Sequence, residues 1–198
     1  MRGLSILVCS VVLAGLCVPV LRGQSDVAGA SIQQRKQNQQ DRIANGIDNG
    51  QLTAGETKKL EKKEANLNRE ERHMRAADNG KLTAADRAKL NAQQNHLSNQ
   101  IYQDKHNAAT AHYGNNEVGA RRQNQQDRIA QGVRSGQLAP GEAANLEKRE
   151  QGVNREVKGM RQANGGKLTA ADRQTVNQQQ NKLSKQIYNK KHNARAAY

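Results

Sequence analysis

The sequence predicts an all-α protein: a tandem duplication of an up-down-up three-helix hairpin or bundle, with six helices in total and no strands. Residues 35–112 align with 121–198 without a gap at an offset of 86, and roughly three positions in five are identical. Two glycine hinges divide each copy into three stretches rich in Ala, Gln, Lys, Arg and Glu, which favour helix. No stretch alternates apolar and polar residues with the period of a strand.

An export signal is expected at 1–23. Arg2 precedes an apolar run over 4–21, and a polar stretch begins at Arg22. This order is typical of a Sec-type signal peptide, with cleavage expected between 23 and 30. The mature chain is therefore expected to be periplasmic or secreted, with no stable transmembrane segment after cleavage.

Two alternatives to a cleaved signal stay open. The apolar run is close to the length that spans a membrane, so a retained anchor is one of them. Leu13 to Cys17 resembles a lipoprotein box, although Leu16 stands where a small residue should precede the cysteine. Both cysteines of the chain, Cys9 and Cys17, lie inside the signal. The mature chain would therefore lack a thiol for a disulfide, a metal site or a nucleophile.

The expected domains are repeat 1 at 31–113, a linker at 114–119 and repeat 2 at 120–198. The linker is placed where turn-forming residues gather, over 113–119. Short hinges make neighbouring helices antiparallel. The expected helices of repeat 1 run over 31–48, 54–77 and 84–112, and those of repeat 2 follow at the same offset.

Each hinge carries the signals of a helix end followed by a helix start. A glycine supplies the left-handed backbone that ends one helix, and a threonine with an acidic residue three positions later forms a capping box for the next. One hinge has Ala139-Pro140 instead, with proline at the first helical position. The predicted hinge residues are Gly50, Thr53, Glu56, Gly80, Thr83, Asp86, Gly136, Pro140, Glu142, Gly166, Thr169 and Asp172.

The predicted buried stripes are thin and partly polar. The third helices offer Leu90, Gln94, Leu97 and Ile101 in repeat 1, and Val176, Gln180, Leu183 and Ile187 in repeat 2. The middle helices place Glu64 and Glu150 on the apolar stripe. So few apolar side chains predict marginal stability unless the copies pack on each other, the chain self-associates or a ligand binds.

Composition favours a polyanionic partner. The formal net charge is +14 and the isoelectric point is near 10.1. A field of this sign attracts nucleic acid, lipopolysaccharide phosphates, acidic wall polymers or an anionic membrane surface. The alternative is that the charge only keeps an exported helical protein soluble.

The last helix is the most basic stretch, because no acidic residue follows Asp172. Its cations spread around the polar arc, which suits diffuse contact with phosphate or carboxylate groups better than sequence readout. No aromatic ladder for stacked bases accompanies them. The predicted polyanion-binding residues are Arg121, Arg122, Arg173, Lys182, Lys185, Lys190, Lys191 and Arg195.

The hinges resemble degenerate EF-hand loops. Gly80 matches the loop's invariant glycine, Leu82 its buried aliphatic, Asn79 a ligand position and Asp86 the terminal acid. The resemblance implies ion binding, but other ligand positions fall on residues such as Arg75, and no metal is expected. The residues that would take part are Asn45, Asn49, Glu56, Asn79 and Asp86.

The same hinges resemble the LTxxQ motif of the periplasmic Spy and CpxP group of small, exported, all-helical chaperones. Leu-Thr recurs at Thr53, Thr83 and Thr169, with an acid in place of the glutamine. This resemblance implies binding of unfolded clients or a role in envelope stress, without catalysis.

No catalytic set assembles from the sequence. The mature part has no cysteine, no phosphate-binding glycine loop after a strand and no metalloprotease motif. Carboxylates such as Glu71 mostly lie beside Lys or Arg and are expected on solvated helix faces. We therefore predict a non-enzymatic exported protein without cofactors that binds polyanionic or protein partners. A Spy-like chaperone and a degenerate EF-hand-like ion binder are the alternatives.

Overall fold

The computed structural model describes residues 24–193, and side chains from residue 32 onward. These residues form six α-helices and no strand. The helices are α1 (Gln24–Asp48), α2 (Ala54–Ala77), α3 (Ala84–Lys105), α4 (Glu117–Arg134), α5 (Pro140–Ala163) and α6 (Ala170–Lys191). The predicted signal peptide and Arg195 lie outside the described residues.

Helix α3 is shorter than predicted. It ends at Lys105 instead of continuing to 112. The Asn107 side chain accepts a hydrogen bond from the Ala109 amide at 2.7 Å and donates one to Glu56 at 2.7 Å. The chain then returns to the first hinge, where the Ala111 amide donates to the Gly50 carbonyl at 2.8 Å. An asparagine turn anchored to another hinge thus replaces the last helical turns.

Helix α4 spans Glu117–Arg134, the range that the first predicted helix gives at the offset of 86, and Asn116 is its N-cap. Its first turn therefore occupies the end of the predicted 114–119 linker. The Asn116 side chain accepts from the Gly119 amide at 3.0 Å. Helix α1 begins earlier than residue 31, at Gln24. We keep the names repeat 1 and repeat 2 for the halves α1–α3 and α4–α6.

Capping boxes start three of the helices. The pairs Thr53–Glu56, Thr83–Asp86 and Thr169–Asp172 each join the threonine side chain to the third amide and the acid to the cap amide. At Ala139 there is no side-chain acceptor, and only Glu142 reaches back to the cap amide, at 3.4 Å. Gly50, Gly80, Gly136 and Gly166 all have positive φ angles, between 67° and 88°, as the predicted left-handed turns require.

Because Ala139 has no side-chain cap, the contribution of capping can be tested both by removing a cap elsewhere and by adding one here. Removing the hydroxyl in Thr83→Ala or Thr169→Ala is expected to lower the free energy of unfolding by about 1 kcal/mol each, and Ala139→Thr is expected to raise it by a similar amount. Urea unfolding followed by circular dichroism measures both. Equal stability of all three variants would contradict the capping assignment.

Within each repeat the helices run up, down and up. In α1, Gln33 contacts Glu71 while Gln40 contacts Glu61, so α1 and α2 are antiparallel. Repeat 2 has the counterpart of the second contact, in which Gln126 of α4 donates to Glu147 of α5 at 3.2 Å. Gln39 donates to the Gln94 carbonyl, and Gln125 donates to the Gln180 carbonyl, both at 2.7 Å. Buried glutamine side chains therefore bond the first helix to the third in each half.

The two repeats pack on each other through α2 against α5 and α1 against α4. Gly55 lies against Gln151, and Gly141 lies against Ala65. These two contacts join equivalent positions with the partners exchanged, because 55 and 141, and 65 and 151, differ by the same offset. The interface is thus isologous, as in a two-fold dimer, although one chain forms it.

Asp48 and Arg134 show where the halves have diverged at this interface. They occupy equivalent positions, separated by 86 residues, and they form an ion pair with each other. In a dimer of identical halves the same residue would face itself. Opposite charges at the two positions therefore favour pairing of repeat 1 with repeat 2 over pairing of like halves.

The apolar core crosses this interface. One cluster includes Ile43, Leu52, Leu60, Leu97 and Ile101 of repeat 1, together with Ile129, Leu138, Leu146 and Ile187 of repeat 2. A second, smaller cluster of Val118, Val153, Val157 and Val176 lies within repeat 2. Packing of one copy on the other thus adds apolar burial that a single three-helix unit would lack.

Candidate anion-binding face

Charged side chains are divided unequally between the core and the surface. The chain has 18 acidic residues and 32 Lys and Arg residues. Among the described residues, six carboxylates are buried, whereas Lys36 is the one buried cation. The buried acids are Glu61, Glu64, Glu71, Glu142, Glu147 and Glu150. This distribution makes the surface more basic than composition alone indicates.

All six carboxyls lie in the middle helices, α2 and α5, and four of them have a raised pKa. Glu61 and Glu147 are fully buried, and burial together with the neighbouring glutamates raises the pKa of each well above its usual range. Burial raises the pKa of Glu64 and of Glu150 to about 7 against the attraction of Lys36 and Arg122 respectively. For Glu61 and Glu147 the raised pKa favours the neutral form of the carboxyl, because charge is poorly solvated where they lie.

The cations predicted on the last helix are not all available to a ligand. Arg173, Lys182 and Lys185 are exposed. Lys190 is half-buried and forms an ion pair with Glu142 at 3.2 Å. Lys191 donates to the Gln131 side chain at 2.7 Å. The last two therefore also hold α6 against α5 and α4.

Arg121 and Arg122 lie at the start of α4 and differ in role. Arg121 bonds two asparagines of α6, Asn177 at 3.3 Å and Asn181. The Arg122 guanidinium lies 5.4 Å from the centre of the Tyr113 ring, and its Nε has no hydrogen-bond partner among the described residues. Desolvation lowers the pKa of Arg122, and Arg161 adds to this effect.

Arg122 lines a groove of about 560 Å³ between α4 and the C-terminal half of α5. Lys158, Arg161 and His112 line the same groove. A neighbouring groove of about 430 Å³ shares Arg161 and adds Lys167, Arg173 and Glu117. The sequence prediction missed Lys158, Arg161 and Lys167. It rested on the acid-free last helix and on the adjacent arginines at the start of repeat 2, whereas these three lie on α5 and the following hinge.

The equivalent place in repeat 1 is closed by a carboxylate. Glu71 bonds Lys36 at 3.0 Å and Arg75 at 2.8 Å. Burial alone would raise the pKa of Glu71, but hydrogen bonds from Arg75 and Lys36 hold it below its usual value. Glu71 was expected on a solvated helix face, and this expectation is wrong because the side chain is 95 % covered, with 5 % of its surface exposed.

At the offset of 86 residues, Lys36 corresponds to Arg122, Arg75 to Arg161 and Glu71 to Val157. Repeat 2 therefore keeps both cations and replaces the carboxylate between them with a buried valine. A comparison of the two copies position by position could have found this difference from the sequence.

Three of the hinge residues that the EF-hand resemblance names bond other side chains of the protein. Asp86 accepts from Thr83 at 2.7 Å, and Glu56 accepts from Thr53 at 2.7 Å. Asn45 accepts from Arg134 at 3.0 Å. Asn79 is the one non-glycine residue with positive φ in the described part, and Asn49 lies exposed in the first hinge. No group of three or more His, Asp or Glu suited to a metal occurs among the described residues.

Comparison with protein-family models, curated proteins and solved structures found no match for this chain. The EF-hand and LTxxQ resemblances of the hinges are untested by these comparisons and stay predictions. Within 24–193, none of the helices combines the length and the apolar character needed to cross a membrane.

Proposed function

We propose that this chain is a non-enzymatic, exported helical protein that binds polyanionic partners through the basic surface of repeat 2. The observation that carries the proposal is the unequal burial of charge, with six carboxylates inside and one cation inside among the described residues. The remaining cations face solvent in whole or in part and attract anions over distances set by the ionic strength.

Repeat 2 is the more basic half. Residues 117–193 contain 15 Lys and Arg residues and 7 acidic residues, whereas residues 31–107 contain 14 and 10. Three of the seven acids in repeat 2, Glu142, Glu147 and Glu150, are buried. Few carboxylates are then left on its surface to repel a polyanion.

Catalysis has little support from the buried acids. The carboxyls with the most strongly raised pKa values, Glu61 and Glu147, have no exposed surface. A substrate would need to separate α2 from α5 to reach them. Their position favours a role in packing over a role in chemistry.

A Spy-like chaperone is the less supported alternative. Binding of unfolded clients calls for exposed apolar surface. The large hydrophobic side chains exposed in the described part are Tyr102 and Tyr188, and each stacks on a histidine of its own helix end, His106 or His192. Suppression of client aggregation at stoichiometric amounts would favour this alternative.

Binding to a non-specific DNA duplex, used as a model polyanion, is expected to weaken steeply with salt. Each phosphate contact contributes about 0.9 to the slope of log K against log salt. The double variant Lys182→Gln/Lys185→Gln removes two exposed cations of α6. We expect it to reduce the slope by about two, measured by fluorescence anisotropy at several salt concentrations.

The matched control removes two exposed lysines of α2 in repeat 1, in the variant Lys59→Gln/Lys62→Gln. It carries the same net charge as the α6 variant and should keep most of the slope. Equal losses in both variants would contradict a basic face on repeat 2, and they would show that net charge alone determines binding.

A further inference from the structure

Repeat 1 contains an anion held by two cations, and repeat 2 contains the two cations without the anion. In repeat 1, Glu71 occupies the space between Lys36 and Arg75 and bonds both. In repeat 2, Val157 occupies the equivalent position between Arg122 and Arg161. Neither arginine forms an ion pair with a described residue. The cations of repeat 2 therefore lack the partner that their counterparts have.

We propose that the groove lined by Arg122, Lys158 and Arg161 is a binding site for a single oxyanion group, a carboxylate or a phosphate, that a ligand supplies in place of the missing glutamate. The site rests on the proposed function, because it would anchor one group of a polyanionic partner. It goes beyond diffuse attraction because it assigns a defined place and named residues to that group.

The residues around the groove form an apolar floor with cations positioned above it. Val157 is buried among Val118, Val153 and Val176 and forms an apolar floor. The Arg122 guanidinium is positioned by the Tyr113 ring at 5.4 Å. Lys158 is exposed at the rim, and Arg161 is half-buried where this groove meets its neighbour. Cations held above an apolar floor bind anions more strongly than cations on an open surface, because less water screens them.

One carboxyl of the protein faces the site from inside. Glu150 attracts Arg122, as Glu64 attracts Lys36 in repeat 1, but neither forms an ion pair with that cation. The Glu150 carboxyl is buried, and one of its oxygens has no hydrogen-bond partner among the described residues. Lys36 has both Glu64 and Glu71 near it, whereas Arg122 has Glu150 alone, so the local charge is more positive in repeat 2.

Two arginines suit an oxyanion better than a halide, since a planar guanidinium donates two parallel hydrogen bonds to a pair of oxygens. Carboxylate and phosphate share this chemistry. A phosphate carries more charge than a carboxylate and has a third oxygen for Lys158. Comparing the affinity for inorganic phosphate with that for acetate therefore shows which of the two groups the site prefers.

The test titrates the ¹⁵N-labelled protein with inorganic phosphate and with acetate and follows amide shifts around Arg122, Val157 and Arg161. The variant Val157→Glu supplies the missing carboxylate within the chain, as Glu71 does in repeat 1. We expect it to weaken anion binding about tenfold to a hundredfold, which corresponds to the loss of one charge-assisted hydrogen bond. Arg161→Gln should weaken binding to a similar degree.

The control Asn189→Glu makes the same change in net charge at an exposed position near the C-terminal end of α6. The grooves lie near the N-terminal end of that helix, where Arg173 lines one of them. The control is expected to keep anion binding within about twofold of the unmodified chain, because an exposed charge far from the groove is screened. Amide spectra of the variants show whether they fold. If Val157→Glu does not fold, Arg161→Gln still tests the site.

Three outcomes would overturn the inference: no localised shifts with either anion, shifts away from this groove, or equal binding by Val157→Glu and Asn189→Glu. If DNA binding keeps its salt dependence while the groove binds neither anion, the inference fails and the proposed function stands. The groove could instead bind phosphate while Lys182→Gln/Lys185→Gln leaves the salt dependence of DNA binding unchanged. In that case the proposal that the basic surface of repeat 2 binds polyanions is wrong, and the oxyanion site is supported.

Discussion

Acidification from pH 8 to pH 5 is expected to stabilise this protein. Glu64 and Glu150 are buried, and burial raises the pKa of each from 4.5 to about 7. A carboxyl whose pKa is higher in the folded state binds its proton more tightly there than in the unfolded chain. Its stabilising effect is complete below the unfolded value of 4.5 and is lost as the pH rises through about 7.

The expected size is roughly 3 kcal/mol for each of the two glutamates between pH 8 and pH 5, at about 1.4 kcal/mol per pKa unit. The groups that face them are Lys36, Glu61 and Gln40 around Glu64, and Arg122 and Glu147 around Glu150. Below about pH 4.5 the trend reverses, because hydrogen-bonded acids such as Glu71, whose pKa is lowered, begin to gain protons.

Urea unfolding followed by circular dichroism at pH 5, 6, 7 and 8 measures this dependence. Glu64→Gln and Glu150→Gln keep the shape of the side chain without its titration. Each variant should be more stable than the unmodified chain at pH 8 and should show a flatter pH profile. A free energy of unfolding that stays constant or falls from pH 8 to pH 5 would contradict the assignment.

Glu71→Val is expected to lower the free energy of unfolding by about 3 kcal/mol, the lower end of the cost of removing one partner of a buried ion pair, because Glu64 still attracts Lys36. The side chain of Lys36 has 7 % of its surface exposed, so water cannot replace the carboxylate there. Arg75, with 33 % exposed, can turn towards solvent. Most of the loss therefore comes from Lys36. Urea unfolding at neutral pH measures the effect.

The double variant Lys36→Met/Glu71→Val serves as the control, because it removes the buried charge together with its partner. It should recover most of the lost stability, since replacing both members of a buried pair by apolar groups is often neutral. Val157 shows that valine fits the equivalent place in repeat 2. If the double variant is as unstable as Glu71→Val, the loss comes from packing and not from charge.

Local signals in the sequence predicted the helices and most of their ends. The capping pairs at Thr53, Thr83 and Thr169 act over three residues, so their pattern is readable without the fold. The polar members of the buried stripes were predictable from helical periodicity, and Gln94, Gln180, Glu64 and Glu150 are all buried.

Helix α3 shows where local signals fail. Residues 106–112 have helix-compatible composition, but Asn107 bonds to Glu56 and Ala111 bonds to Gly50, both distant in sequence. Glu61 and Glu147 were missed because each lies where its helix meets both the first helix of its own repeat, through Gln40 or Gln126, and the other repeat. The direction of a side chain towards a partner helix depends on how the helices pack, which periodicity within one helix does not specify.

The duplication, the six helices, their hinges and the excess of positive charge follow from the sequence, because each depends on residue type and on spacing along the chain. Which further charges are inside depended on the tertiary structure, since Glu61, Glu71 and Glu147 look solvated on isolated helices and are buried only when the helices pack. The open groove beside Arg122 and Arg161 depended on it too. Aligning the copies pairs Val157 with Glu71, but only the folded arrangement shows that Glu71 bonds both Lys36 and Arg75.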